Sequence, residues 1–179
     1  MEKSGRKRIA LTGGIACGKS QVARFLNEAG IETIDADDIV HELVPEEERR
    51  RLAKTVFNDP AARKALEAKL HPIVKARIDD FLRAGGEGRR LAVIPLLFEV
   101  GWDADFDFIA AVVPPRETQI SRMCSSRGYS REEAEARIAS QMPTDEKAAR
   151  ADFVITNDST LEELKNKTAV LAERIEKII

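Results

Sequence analysis

The chain has 179 residues, of which 43% are hydrophobic and 34% charged, and its formal net charge is −2 at pH 7. This composition supports the core of one domain, and the near-neutral charge gives no reason to expect a nucleic-acid partner. No run of about 20 apolar residues and no apolar secretion signal is found, so we expect no membrane association. Two cysteines, Cys17 and Cys124, are too few for a disulfide framework and favour a cytoplasmic protein.

In chain order, apolar runs alternate with stretches of helical periodicity. Strands are predicted at 8–12, 32–35, 91–97, 108–113 and 152–156. Helices are predicted at 19–29, 36–43, 116–127, 131–141 and 161–179, with a helical region at 46–84 and a glycine-rich linker at 85–88. Because the strands show no strict polar alternation, we expect an α/β fold with a parallel five-stranded sheet flanked by helices on both faces.

The segment between the first strand and the first helix fits the phosphate-loop pattern G-x-x-x-x-G-K-[ST]. Its residues are Gly13, Gly14, Ile15, Ala16, Cys17, Gly18, Lys19 and Ser20, followed by Gln21. Glycines allow backbone N–H groups to approach phosphate oxygens, and the helix N-terminus adds partial positive charge. We expect the loop to bind a triphosphate, with Lys19 at the β- and γ-phosphates and Ser20 holding Mg²⁺. The alternative is a chance glycine turn that binds nothing.

Two aspartates follow the second predicted strand. Since the carboxyl ends of parallel strands carry the ligand site, Asp35 and Asp37 are expected beside the phosphate loop, facing the same way if the extended chain continues. A carboxylate here suits phosphoryl transfer, with Asp37 as the base for an acceptor hydroxyl or as a metal ligand through water. The alternative role of either residue is to cap the helix that follows.

A cluster of basic residues in the second half of the chain suggests a phosphate-contacting lid. Its members are Arg122, Arg127, Arg131, Arg137, Lys147 and Arg150. The alternative is a solvated helix surface, because Glu132, Glu133 and Glu135 are close partners in sequence. Our choices for phosphate contact are Arg127, Lys147 and Arg150. Capping boxes at 130–133 and 159–162 predict the starts of two helices.

Nearly the whole chain resembles the dephospho-CoA kinases. The matching stretches, in order and approximate spacing, are 11–20, 34–37, 57–60, 70–72, 95–99, 137–141 and 146–152. The phosphate loop alone would indicate only a nucleotide; the combination is specific.

The resemblance implies a single P-loop kinase domain in three parts: a nucleotide-binding core at about 1–42, 89–119 and 150–179, a helical acceptor part at about 43–88, and a helical lid at about 120–149. It implies transfer of the γ-phosphoryl group of ATP to the 3′-hydroxyl of dephospho-CoA with Mg²⁺, the last step of coenzyme A synthesis. By the resemblance, Asp37 matches the base of the family. From the phosphate loop and the basic cluster themselves, Lys19, Lys147 and Arg150 would assist catalysis and Arg127 would bind ATP. Asp35, His71 and Glu99 would lie at the acceptor. A structural role for His71, capping a helix break before Pro72, is the alternative.

The chain departs from the family pattern in two informative places. Cys17 stands where serine is common; a thiol at a helix N-terminus near Lys19 is expected to have a lowered pKa, so oxidation would block ATP. Residues 45–56 form a short charged run where the family usually has a longer segment. The acceptor part is therefore expected to be trimmed.

Two other interpretations stay open at the level of sequence, and a third is disfavoured. One is another small-molecule or nucleoside monophosphate kinase on the same fold. Another is a binding-only relative that lost activity with the trimmed segment. A GTPase switch is disfavoured because the chain has no Asn-Lys-x-Asp stretch for reading guanine.

Overall fold

The computed structural model describes residues 7–47, 59–84 and 88–178. The strands in these segments are β1 Ile9–Thr12, β2 Ile31–Asp35, β3 Arg89–Val93, β4 Phe108–Val113 and β5 Phe153–Thr156. The helices are α1 Lys19–Glu28, α2 Ala36–Leu43, α3 Pro60–Arg83, α4 Arg116–Arg127, α5 Arg131–Ala139, α6 Thr144–Arg150 and α7 Leu161–Ile178, and a 3₁₀ turn spans Asp103–Asp105.

The strands form one parallel sheet in the order β2-β3-β1-β4-β5. The predicted α/β fold with a five-stranded parallel sheet is therefore confirmed. The order of the strands was not predicted: β2 does not pair with β1, because β3 lies between them. Val93 of β3 is in register with Leu11 on one side and with Asp35 on the other.

Alternate residues of the strands enter two cores on opposite faces of the sheet. Ile9 and Leu11 join a cluster with α1 and α7, whereas Ala10 between them belongs to a cluster with α2 and α3. Both clusters consist of buried apolar side chains. The continuous apolar runs of β1 and β4 follow from this two-sided covering.

One strand boundary and one helix differ from the prediction for physical reasons. β3 ends at Val93, and Pro95 to Gly101 form consecutive turns, because proline has no N–H to donate to a neighbouring strand. The turns carry Leu97 and Phe98 back into the core, which explains why the segment reads as an apolar strand. Helix α6 was not predicted, since its seven residues show no apolar periodicity.

The helix starts were predicted with mixed success. At Ser130 the capping box is present, with the side chain of Ser130 accepting from the Glu133 N–H and Glu133 accepting from the Ser130 N–H. The cap of α7 is one residue later than predicted, because Thr160 rather than Ser159 accepts from the Glu163 N–H. Pro72 lies inside α3, so the expected helix break beside His71 was wrong.

Some predictions fall on residues outside those described. These are most of the charged run at 45–56 and of the helical region before residue 59, the linker at 85–87, and the last residue of 161–179. Within the described part of the chain, no helix is both long enough and apolar enough to cross a bilayer.

Candidate active site

The loop between β1 and α1 depends on residues in unusual backbone conformations. Gly13 has φ 148° and Gly18 has φ 97°, both in the region that favours glycine. A Cβ at Gly13 would lie 2.6 Å from the carbonyl oxygen of Val112, and one at Gly18 would overlap the side chain of Asn157. Both positions therefore require glycine, because a side chain would clash with Val112 at one and with Asn157 at the other.

A cavity of about 480 Å³ opens above this loop. Its lining residues are Ile15, Ala16, Cys17, Gly18, Lys19, Ser20, Gln21, Asp35, Asp37, Pro95, Ser126, Arg127 and Gln141. The structure thus brings the phosphate loop together with both predicted aspartates and with Arg127. Although β3 lies between β2 and β1, the aspartates at the end of β2 still line this cavity.

The two aspartates have different local roles. Asp35 is the N-cap of α2, and its Oδ1 accepts from the Asp37 N–H at 2.8 Å. Burial raises the pKa of Asp35, an effect that the hydrogen bond from the Asp37 backbone opposes. The expectation that both side chains follow one extended strand was wrong, because the helix begins at Ala36. Asp37, in the first turn, is exposed and lines the cavity.

Lys19 lies at the first residue of α1, and its Nζ donates to the carbonyl oxygen of Gly14 at 2.8 Å. Burial lowers the pKa of this ammonium, while the thiol of Cys17 and the carboxylates of Asp37 and Asp35 oppose that effect. A triphosphate in the cavity would add negative charge and favour the protonated form. Ser20, next in the helix, is exposed and lines the same cavity.

Cys17 does not have the properties expected of a reactive thiol. Its side chain is fully buried, and burial raises its pKa despite the nearby charge of Lys19. The Nε2 of Gln119 lies 3.4 Å from the sulfur. The expectation of a lowered pKa was therefore wrong, because burial outweighs the nearby positive charge of Lys19. That oxidation of this thiol blocks ATP stays a prediction.

Lys147 and Glu99 contact each other. The Nζ of Lys147 lies 2.8 Å from Oε1 of Glu99 and donates to the Pro95 carbonyl oxygen at 2.6 Å. The Lys147 side chain is fully buried, whereas that of Glu99 is 22% exposed. Glu99 also accepts from the Met142 N–H at 2.9 Å. Lys147 and Glu99 therefore connect the segment after β3 with α6 and with Met142 just before it.

The other basic residues of the cluster have varied surroundings. Arg150 pairs with Asp103 at 2.8 Å and lies over the ring of Phe98. Arg131 pairs with Glu117 and Glu135, as the solvated-surface alternative anticipates. Arg137 lies 4.4 Å from the ring centroid of Tyr129. Arg127 is exposed at the end of α4 and is the basic residue of this cluster that lines the cavity.

His71 lies on α3, away from the phosphate loop. Its ring meets that of Trp102 edge-on, with the centroids 5.6 Å apart. Trp102 is partly buried and packs on the core beneath α3, as expected for a core or rim side chain. Neither His71 nor Glu99 is among the residues that line the cavity above the phosphate loop.

Three polar residues contact the loop without having been assigned a role from the sequence. Gln119 donates to the Ile15 carbonyl, Gln141 accepts from the Ile15 N–H, and Asn157 donates to the Cys17 carbonyl. Asn157 directly follows β5, at the sheet edge where ligand sites form, so its position was a usable signal. Gln119 is a polar residue beside the buried positions Ile120 and Met123, which is a weaker signal.

A second cavity of about 260 Å³ lies on the other side of Gly18. Its lining residues are Gly18, Gln21, Arg122, Asn157, Ser159, Leu161 and Leu164. Arg122 reaches both Asn157 and the Ala16 carbonyl. Gln21 borders both cavities, which places them next to each other along α1.

Comparisons with known proteins agree with this geometry. A dephospho-CoA kinase of Symbiobacterium thermophilum is 43% identical over 182 residues, covering 86% of this chain and 75% of the relative. The structure of TT1252 from Thermus thermophilus is 37% identical and superposes with a TM-score of 0.79 over 95% of this chain and 98% of that one. A dephospho-CoA kinase from Campylobacter jejuni is 26% identical, with a TM-score of 0.62 over 94% and 97% of the two chains.

The family model for dephospho-CoA kinase matches residues 7–48 and 46–163. Its two segments meet in the charged run that was expected to be trimmed. The alignment with the Symbiobacterium relative is longer than this whole chain although it includes only 86% of it, so the relative has residues that this chain lacks. On the extent of the family match and the identity to its members, the chain belongs to the dephospho-CoA kinase family.

Proposed function

We propose that this chain transfers the γ-phosphoryl group of ATP to the 3′-hydroxyl of dephospho-CoA, giving coenzyme A. The observation that carries the proposal is the shared cavity in which Asp37 faces the phosphate loop and Lys19. Its family membership supports the acceptor assignment. The reaction needs a triphosphate, an alcohol and a base at one point, and this cavity offers places for all three.

The loop supplies binding and charge neutralisation for the triphosphate. The N–H groups of Ile15 and Cys17 donate to Gln141 and to the Gly14 carbonyl, and the other N–H groups of the loop would serve phosphate oxygens. Helix α1 directs its N-terminus at the same point. Lys19 would leave the Gly14 carbonyl and contact the β- and γ-oxygens. The nucleoside would extend towards the second cavity, which borders the loop at Gly18.

Asp37 would orient and deprotonate the acceptor hydroxyl. Its carboxylate lines the cavity, while the Asp35 carboxylate is held by capping α2. The Asp35 side chain would therefore line the acceptor side of the cavity in a fixed orientation. The Asp37 carboxylate would be the one that contacts the reacting hydroxyl. A positioned base of this kind contributes about 10²–10⁴-fold to a rate.

The divalent metal that kinases of this type use has suitable ligands here. Within the described residues, no three acidic, histidine or cysteine side chains form a ready-made metal cluster. The hydroxyl of Ser20 with the carboxylates of Asp35 and Asp37 is a hard-oxygen set, which suits Mg²⁺ that keeps waters and phosphate ligands. When bound, Mg²⁺ would neutralise charge on the phosphate oxygens.

The basic residues divide into a direct and an indirect group. Arg127 lines the cavity and would stabilise charge on the transferring group. Lys147 and Arg150 were expected to do the same, but each is paired with a carboxylate, Glu99 and Asp103 respectively. We therefore propose Arg127 as the phosphate-contacting cation of α4, with Lys147 contributing through Glu99 and Pro95.

His71 and Glu99 would serve the acceptor part, with α3 forming its wall and residues 120–149 forming the lid over ATP. A cytoplasmic location is part of the same proposal. Both cysteines are free, which suits a reducing compartment.

The test is a coupled assay of ADP release from MgATP with and without dephospho-CoA. Release that rises with dephospho-CoA, and not with nucleoside monophosphates or other small alcohols, supports the proposal. Stimulation by another acceptor alone would favour a different small-molecule kinase. ATP binding without turnover on any acceptor would favour a binding-only relative.

A further inference from the structure

Two glutamines hold the Ile15 peptide units of the phosphate loop from opposite sides. The N–H of Ile15 donates to Oε1 of Gln141 at 2.8 Å, and its carbonyl oxygen accepts from Nε2 of Gln119 at 2.9 Å. A backbone N–H is always a donor and a carbonyl always an acceptor, so the partners fix how each carboxamide is turned. We call Gln119 and Gln141 the glutamine clamp.

The clamp lies next to a strained residue. Ala16 has φ 57°, a left-handed conformation that a non-glycine residue adopts only under constraint. Gln119 holds the carbonyl just before Ala16, and the Nη1 of Arg122 lies 3.3 Å from the carbonyl of Ala16 itself. The loop carbonyls at Ile15 and Ala16 are therefore bound by α4.

Gln141 is itself anchored to the sheet. Its neighbour Met142 donates its N–H to Glu99 at 2.9 Å, and Glu99 is paired with the buried Lys147. Lys147 also donates to the Pro95 carbonyl, in the turns that follow β3. The Gln141 side chain, whose Oε1 accepts from the Ile15 N–H, is thus connected through Met142, Glu99 and Lys147 to the turns at the edge of the sheet.

We propose that Gln119 and Gln141 are positioning residues that pre-form the phosphate loop for the triphosphate of ATP. The Ile15 N–H and the carbonyls of Ile15 and Ala16 are bound from outside the loop, and the Cys17 N–H is bound within it, which fixes the loop backbone before phosphate arrives. Without the clamp, ordering the loop would accompany binding and weaken ATP affinity. The proposal deepens the proposed kinase function and rests on ATP as its substrate.

The direct test is the variant Gln141→Ala, because Gln141 is only partly buried and its loss should leave the fold intact. Calorimetric titration with MgATP in the absence of acceptor should show a dissociation constant raised about fivefold, the loss of one hydrogen bond. The KM for ATP should rise with it, while the KM for dephospho-CoA stays within error. Hydrogen exchange at the Ile15 amide should accelerate.

The polarity of each contact gives a second test. Gln141→Glu keeps an acceptor oxygen, so it should restore slow exchange at the Ile15 amide. Gln119→Glu replaces the donor with an acceptor facing the Ile15 carbonyl, so it should weaken MgATP binding more than Gln119→Ala does. Ser140→Ala is the matched control, because Ser140 is exposed and donates to the Arg137 carbonyl rather than to the loop.

MgATP affinity of Gln141→Ala within twofold of the wild type would overturn the proposal. So would an equal rise in the KM values of ATP and dephospho-CoA. Failure of the kinase function has a different signature: wild-type protein that binds MgATP but shows no acceptor-stimulated turnover. In that case the calorimetric titration of Gln141→Ala with MgATP still tests whether the glutamine clamp contributes to ATP binding.

Discussion

At the scale of single residues, the pair Lys147 and Glu99 shows how burial changes the meaning of a charge. From the sequence Lys147 belongs to a surface-like run of basic residues, yet its side chain is fully buried against Glu99 and the Pro95 carbonyl. Glu99→Gln would leave the ammonium buried without its counter-charge. We expect a loss of about 3 kcal/mol in the free energy of unfolding, measured by urea denaturation.

Lys147→Met is the matched variant for that prediction. It removes the buried charge and leaves Glu99, which is 22% exposed and still accepts from Met142. It should therefore destabilise clearly less than Glu99→Gln. Equal losses in the two variants would contradict the account of this pair.

Asp35 gives a prediction about pH. Its pKa in the folded protein is raised above the ordinary 3.8, mainly by burial. The folded state therefore holds this proton more tightly than the unfolded state, and wild-type stability falls as pH rises from below 3.8 through the raised value. Asp35→Asn keeps an oxygen for the Asp37 N–H and loses this titration.

The measurement is the unfolding free energy of Asp35→Asn and of the wild type from pH 3 to 7. The stability of the Asp35→Asn variant relative to wild type should increase across that window. A difference that is constant with pH would contradict the burial of this carboxylate.

The residues predicted best are those whose role is set within a short stretch of chain. The phosphate loop and Asp37 were identified from spacing and neighbouring strands, and the structure places them around one cavity. Cys17, Lys147 and the clamp residues could not be judged in the same way. Their properties depend on burial and on partners distant in sequence, such as Gln141, which is 126 residues from Ile15.

At the scale of elements, α5 offers a test of helix capping next to the active site. The reciprocal hydrogen bonds of Ser130 and Glu133 satisfy two backbone donors at its start. Ser130→Ala should reduce stability by about 1 kcal/mol and speed hydrogen exchange in the first turn of α5. Ser130→Asp supplies another good cap and should restore both. Unchanged exchange in the alanine variant would contradict this role of the cap.

The elements that were predicted well have strong local signals. α2, α4 and β4 have the predicted bounds because each couples a clear periodicity or apolar run to a defined end. β3 was extended too far, since the apolar turn at Leu97 and Phe98 reads like a strand. α6 was missed because it packs through Lys147 rather than through an apolar face.

At the scale of the whole molecule, the strand order was the part that sequence could not supply. Parallel crossovers allow more than one order, and periodicity within a strand does not say which neighbour it pairs with. The structure has β3 between β1 and β2, with α2 and α3 packed against one face of the sheet. The loop after β1 and the aspartates at the end of β2 still line one cavity, because all five strands are parallel and end at the same edge of the sheet.

Binding of ATP should stabilise the molecule as a whole. At 100 times the dissociation constant, mass action predicts about 2.7 kcal/mol and a rise of about 5–10 °C in the thermal midpoint for a chain of this size. Lys19→Ala should abolish most of this rise, whereas Lys165→Ala, at an exposed position on α7, should keep it. An equal rise for both variants would argue against phosphate binding at Lys19.

The central claim is that Asp37 acts on an acceptor alcohol beside the phosphate loop, and one pair of variants tests it most directly. ADP release stimulated by dephospho-CoA should fall about 10²–10⁴-fold in Asp37→Asn. Asp38→Asn, at the exposed next position of α2, should stay close to wild type. If Asp37→Asn kept most of the acceptor-stimulated rate, or if both variants lost it equally, the assignment of Asp37 as the base would be wrong.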